Sequence, residues 1–577
     1  MTTLRLPNLL LVLLLGTAAL PAGADGVAGP YLAGRVASID FDYRAAADYF
    51  TRSLVADPTN YGVMESAMLS DVGIGDFEQA RKLANGLDAA GQKSGLADLV
   101  ELVSLAKEGK FDVALGDLDK GRSAGPLVDG LFRAWSKVGA GQMSEAIKSF
   151  DEVAQQKGLG PFALYHKAIA LALVGDFEGA DAILSGKAAG QIRATRRSII
   201  AHAEVLSQLE RDKDAVAMLD KTVGQRPDDP MIADLRARLV AGETVPFTLV
   251  RTPTDGLAEV FLAVASVLAE STAGDAQQGA SPVDVLMFAR ASAYLRPDLT
   301  EASLMVAGTL VQQKQYDLAI AAYDQIDPKG PDYIAAQLGR GDALALSDRQ
   351  DASIAVLQDL SKVAPKRADI WASLGDVARR NERFEEASVA YSQAIDLVGA
   401  PSKAQWVLYY ARGICFERLK QWDKAEPDFR KALALSPDEP PVLNYLGYSY
   451  LEKGTNLTEA VAMIETAAKA RPDDGAIADS LGWALYRTGK FPEAEAQMEK
   501  AVGLMPIDAV VNDHLGDVYW MVGRKLEADF QWKRALSFKP DSDTDAARIR
   551  RKLEVGLDAV LKEESAPQAA AGTNDKG

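Results

Sequence analysis

A single cysteine in 577 residues, Cys415, excludes any internal disulfide; it lies in a helical pattern among apolar neighbours and reads as an inert core residue. Histidine is almost as scarce. His166, His202 and His514 are the only three, and no Cys or His spacing suits zinc. Gly-rich phosphate loops are missing too, since "GIGDFE" at Gly73 and "GRGDAL" at Gly339 lack a third glycine and sit in helical context. No nucleophile elbow occurs. Positive charge is short as well: the net charge of −18 argues against nucleic acid, which needs clustered Lys and Arg to release counterions, and against an anionic membrane surface. The two densest basic runs, Arg193–Arg197 and Arg548–Lys552, are brief and read as solvated helix faces. Together these absences predict a chain with no cofactor, no metal and no catalytic residues.

Long apolar runs are confined to the start. Arg5, the run Leu9 to Leu15 and the small residues Ala22–Ala24 follow the order of a secretory signal peptide over residues 1–24, with cleavage after Ala24. Even stretched to Leu20 the run is short for a bilayer span; an uncleaved anchor is the alternative. The mature chain should then have no transmembrane segment, and export without disulfides fits a periplasmic location.

What is abundant is periodicity. Pro297, Pro331 and Pro365 are spaced by 34, as are Pro472, Pro506 and Pro540, with Pro437 lying 35 before Pro472. Twelve residues before the last four stand Ala425, Ala460, Ala494 and Ala528; twelve further back stand Gly413, Gly482 and Gly516, with Gly447 displaced by one. Ala46, Ala80, Ala114, Ala146, Ala180 and Ala215 keep nearly the same beat. Turns of one style precede many of them: "GDFEQA", "GKFDVA", "GDFEGA", "GKFPEA" and "GRKLEA". In the last unit Asn512, Leu515, Gly516 and Tyr519 make one helical stripe, and Ala528, Trp532 and Ala535 make another. Gly516 and Ala528 are small where the two helices should cross, with Tyr519 and Trp532 filling the space around them.

A 34-residue helix–turn–helix with Leu-Gly, Tyr, Ala, an aromatic, Ala and Pro in these slots resembles the tetratricopeptide repeat. The resemblance implies an all-α solenoid, a superhelix of about thirteen repeats including degenerate ones. The expected divisions are 25–227, an N-terminal degenerate solenoid; 228–256, a joint containing the strand-like "FTLVRT"; 257–541, the C-terminal solenoid; 542–564, a capping helix; and 565–577, a disordered tail. Residues 271–281 read as a polar loop.

The resemblance also implies a groove lined by the first helices. Carried onto this chain, its groove positions are Asn444 and Tyr448, then Asp479, Trp483 and Tyr486, then Asp513, Asp517 and Trp520. Six of the seven tryptophans lie at or after Trp371, which points to the C-terminal half as the binding surface. Whether Trp483 and Trp520 face a partner or the core stays open. Asp513 and His514 are neighbours on a helix, so their side chains diverge by about 100° and cannot pair. The Lys/Asn/Arg clamp with which some members hold a terminal carboxylate is absent except for Asn444. An acidic groove would prefer basic or neutral extended segments. "NYLGYSYLEKGTNLTEA", "DSLGWALYRTGKFPEA" and "NDHLGDVYWMVGRKLEA" are also similar to exported proteobacterial repeat proteins, some of which are lipoprotein adaptors of a carboxyl-terminal processing protease; here no lipobox cysteine follows the leader. The expectation is a non-enzymatic periplasmic scaffold for envelope proteins, either an adaptor or a structural part of an export or polysaccharide-assembly complex.

Overall fold

The computed structural model describes residues 28–186, 192–223, 229–272, 281–399, 402–538 and 546–565. Among them are thirty-one α-helices, one short 3-10 helix at Lys403–Gln405 and no strand. The leader 1–24, the tail from 566 and most of the 271–281 loop lie outside the described residues. Two compact units divide the chain, Met1–Ser353 and Ile354–Gly577.

Local chemistry sets the helix boundaries. In "GDFE" Gly75 takes φ +92, which ends the helix Tyr61–Ile74, and the Asp76 side chain accepts from Gln79 N–H to start Phe77–Ala89. Gly175 and Asp176 repeat the device. Glu210, Lys314, Asp348, Glu382 and Lys420 also take positive φ, just ahead of the helices at Asp212, Tyr316, Gln350, Phe384 and Trp422.

In Ile354–Gly577 antiparallel pairs run from Ala368–Arg380 with Phe384–Val398 to Ala509–Met521 with Lys525–Ser537. One packing rule recurs. A Cβ built on Gly375, Gly413, Gly482 or Gly516 would strike Tyr391, Phe429, Met498 or Trp532, each sixteen residues on; Gly447 meets Ile464 and the Ala460 carbonyl. Small residues let the large side chain of the second helix lie against the backbone of the first. Ala425, Ala460, Ala494 and Ala528 are fully buried at the same crossings.

Met1–Ser353 contains similar pairs but treats their inner faces differently. The helices Pro253–Thr272 and Pro282–Leu295 fold back onto the first helices of the early repeats. Thr254 Oγ1 donates to Ala106 O at 3.0 Å, and Arg290 Nε donates to Gly73 O at 3.0 Å. Lys107 Nζ reaches Tyr294 O at 2.8 Å, Tyr294 stacks on Phe77 at 4.4 Å, and Tyr43 donates to Gln313 Oε1 at 3.1 Å. The first helices from Tyr61 to Gln208 are therefore covered by the unit's own chain.

Several sequence expectations change here. Arg193–Arg197 is no solvated face along its length: Arg197 is ion-paired to the buried Glu259 and to Glu301, and Arg196 to Asp332, Asp229 and Glu301. Folding the chain back brings acids of distant helices against it. Residues 257–353 group with the N-terminal repeats in the first compact unit. "FTLVRT" is not a strand; Glu204 holds it by accepting from Thr248 N, Thr248 Oγ1 and Leu249 N. The single terminal helix is two, Ala546–Val555 and Leu557–Ser565, because Gly556 turns the chain at φ +85.

Candidate functional site

The first helices Pro440–Lys453, Gly475–Arg487 and Ala509–Met521 carry the eight groove positions. Along them runs an open groove of ≈ 640 Å³, lined among others by Glu417, Trp422, Asn444, Tyr448, Glu452 and Asp479. Asn444 and Tyr448 border it directly. The Oδ1 of Asn444 is buried and has no hydrogen-bond partner among the described residues.

Further along, the same positions are progressively engaged from within. Asp479 accepts from His514 Nδ1 at 3.0 Å. Trp483 lies flat between Tyr486, centroid distance 4.7 Å, and His514, 4.1 Å, and its Nε1 donates to Glu452 at 2.7 Å. Only 8% of Trp483 is exposed, so its ring is part of a stacked core and not a free contact surface. Burial would lower the His514 pKa, but the Asp479 carboxylate, aided by Asp513 and Asp517, outweighs it and the net shift is upward. Tyr486 is pushed up by burial and by the Asp517 charge.

The last repeat is covered. Lys552, with no side-chain exposure, places Nζ 2.9 Å from both Asp513 oxygens and 2.6 Å from Asp517 Oδ1; Arg548 Nη1 is 3.4 Å from Asp517 Oδ2. Asp517 also accepts from Trp532 Nε1 at 2.9 Å. Within the run Arg548–Lys552, therefore, Arg548 and Lys552 are engaged from within, while Arg550 and Arg551 face water. The run's acidic neighbours come from a helix some thirty-five residues earlier, a pairing visible in sequence only as two i, i+4 pairs of opposite sign. Trp520 tilts over Trp532 at 5.5 Å under Lys525, and Gly556 sits against its ring. Its Nε1 is buried without a partner among the described residues.

His514 is stacked beneath Trp483 and paired with Asp479, and Asp513 and Asp517 are ion-paired with Lys552 and Arg548. Among the described residues no group of three or more His, Cys, Asp or Glu could hold a metal ion. Burial pushes the Cys415 thiol up to about 12, which keeps it protonated and unreactive. The surface offers shape, rings and hydrogen-bonding groups.

Tetratricopeptide-repeat family models match residues 338–402, 406–439 and 444–508. The chain carries tetratricopeptide repeats. A tetratricopeptide repeat-containing protein of Pseudomonas aeruginosa, PA4667, is 32% identical over 186 residues, covering 32% of this chain and 30% of that protein. Human tetratricopeptide repeat protein 13 is 29% identical over 193 residues, covering 32% and 22%. The chain thus spans less than a third of either relative. Among solved structures, the Cut9–Hcn1 hetero-tetramer of APC/C covers 92% of this chain and 96% of its own at 14% identity and TM-score 0.38. A tetratricopeptide repeat protein from Parabacteroides merdae covers 45% and 98% at 17% identity and TM-score 0.37. Tetratricopeptide repeats of this kind bind proteins and peptides, and no helix among the described residues is long and apolar enough to cross a membrane.

Proposed function

We propose that the protein is an exported, periplasmic scaffold that holds a segment of a partner protein in the open groove of Ile354–Gly577, without chemistry of its own. One observation carries this reading: the ≈ 640 Å³ groove around Asn444, Tyr448 and Asp479 stands open, whereas the corresponding inner faces of Met1–Ser353 are filled by helices of the same chain. A polar, ring-lined surface left accessible between repeats is a place to receive a segment. Tyr448 and Trp422 supply contact area at low entropic cost, with the Asn444 side chain in the same wall of the groove.

The leader-like residues 1–24 support the periplasmic part, and the partner is then an envelope protein. Adaptor work for a carboxyl-terminal processing protease is the specific form suggested by the similarity of residues 440–541 to exported repeat proteins. Two experiments test the reading. Residues 1–40 fused to a reporter active only in the periplasm should give activity; retention in the cytoplasm removes the localisation. Crosslinking in the periplasm should capture an envelope protein with the native chain and lose it with Asn444→Ala plus Tyr448→Ala. If the captured pair is a protease and its substrate, adding the purified chain should speed cleavage. Capture unchanged by the groove substitutions would remove the groove from the function.

A further inference from the structure

The charge pattern of the last repeat and the helix that covers it fit as ligand and receptor. Asp513 and Asp517 stand four apart on one helix, and Arg548 and Lys552 stand four apart on the other. Lys552 bonds both carboxylates, and Arg548 reaches Asp517 while also pairing with Glu564. This is the basic segment that an acidic groove selects, and the chain supplies it from its own terminus. We propose that the helix Ala546–Val555 is a resident ligand closing the acidic end of the groove, and that a partner helix with two cations four residues apart displaces it. The inference rests on the groove reading above and specifies the partner and its control.

Three features of the contact favour exchange over permanent attachment. First, apolar anchoring within the helix is limited: Ile549 is its one fully buried apolar side chain and Leu553 is half-buried against the core, while the side chains of Arg550, Arg551 and Glu554 face water. An ionic contact can be traded for an equivalent one, and salt weakens it at its exposed edge. Second, the two carboxylates cannot be left bare, because an uncompensated buried charge is strongly unfavourable. The helix therefore stays seated until another cation pair arrives, which makes the closed state the default and sets the chemistry of what can open it. Third, the resident helix leaves one group unserved. Trp520 Nε1 is buried beside Gly556 with no acceptor among the described residues. An incoming segment with a carbonyl or carboxylate at that point gives the indole N–H an acceptor that the described residues do not.

Position completes the case. The open groove already reaches Asp479, Val510 and Val511, and Asp513 and Asp517 follow on the next turns of the helix carrying Val511. A segment entering at Asn444 and Tyr448 that continues along the groove meets the terminal helix. Displacing it lengthens the groove by one repeat and adds Asp513, Asp517 and Trp520 to the docking surface.

The test uses a fluorescent peptide of residues 546–565 and the full-length chain. Lys552→Glu places a carboxylate against Asp513 and Asp517 and should expel the native helix. Circular dichroism and tryptophan emission check that the repeats remain folded, and Arg548→Glu is the milder second variant. The expected result is at least tenfold tighter peptide binding by either variant than by the native chain. A peptide with Glu at both cation positions should not bind, and added native peptide should raise hydrogen exchange across 546–555 of the native chain. Equal binding to native and variant chains, or no binding to either, overturns the proposal. So does a native dimer that Lys552→Glu converts to monomer, since the helix would then serve a second copy. Because the probe is the chain's own segment, these outcomes are independent of partner capture through Asn444 and Tyr448.

Discussion

Gly516→Ala tests the packing rule at its tightest point. A Cβ there would lie 2.5 Å from Trp532 Cδ1, and the indole cannot retreat freely because its Nε1 donates to Asp517 at 2.9 Å and the ring is fully buried. Helix propensity alone favours the substitution by about 1 kcal/mol. Overpacking a rigid ring opposes it with about 1–3 kcal/mol, and losing the charge-assisted bond to Asp517 adds roughly 1.5–3 kcal/mol. The net expectation is a loss of roughly 1.5–5 kcal/mol. Two controls give the comparison its force. Gly482 faces Met498, whose flexible chain can move aside, so Gly482→Ala should fall within about 1 kcal/mol of neutral. Gly503 has nothing within 4 Å of a built Cβ and lies in a helix, so Gly503→Ala should stabilise by up to about 0.5–1 kcal/mol. Urea titration followed by tryptophan emission suits the series, because six of the seven tryptophans lie in Ile354–Gly577. If Gly516→Ala behaved like Gly503→Ala, the glycine would not be there for close approach and the rule would fall.

Lys552→Met should cost about 3–5 kcal/mol in the same titration, because it strands Asp513 and Asp517; adding Asp513→Asn should restore part of the loss. Ala528, fully buried at the crossing with the Gly516 helix, should lose about 1–3 kcal/mol as Ala528→Leu. Burial holds the His166 pKa down at about 3, below its unfolded value near 6.5. Its stabilising contribution is thus complete above about pH 6.5 and is lost as pH falls towards 3, by about 2 kcal/mol at pH 5. His166→Gln should flatten that loss, read as hydrogen exchange of Gly160–Leu173 at pH 7 and 5. Glu204→Ala removes three hydrogen bonds from residues 248–249, and limited proteolysis should then cut within 241–252 where the native chain resists.

The leaders among the sequence readings were those with short-range causes. The Gly–Ala–Pro beat gave the helix pairs and their crossings, since Gly516 and Trp532 are sixteen residues apart and the whole unit spans 34. Asn444 and Tyr448 were placed at the groove by the same register. Trp483 and Trp520 were equally in register, yet one is stacked into a core and the other lies beneath Gly556. Nothing in a period distinguishes a ring that faces a groove from a ring that the next element covers. The basic runs were misread for the same reason. Arg197 meets Glu259 across 62 residues and Lys552 meets Asp513 across 39, and a charge run is solvated or buried according to what the returning chain lays on it.

The amino-acid order by itself determined the repeat: breaker, cap, glycine and alanine act within one or two turns or on the adjacent helix, so their effects are written at a fixed spacing. Only the tertiary structure decided which inner surfaces are available. That outcome depends on where Pro253–Leu295 and Ala546–Ser565 come to rest, and on buried carboxylates that accept whichever cation the path of the chain brings to them.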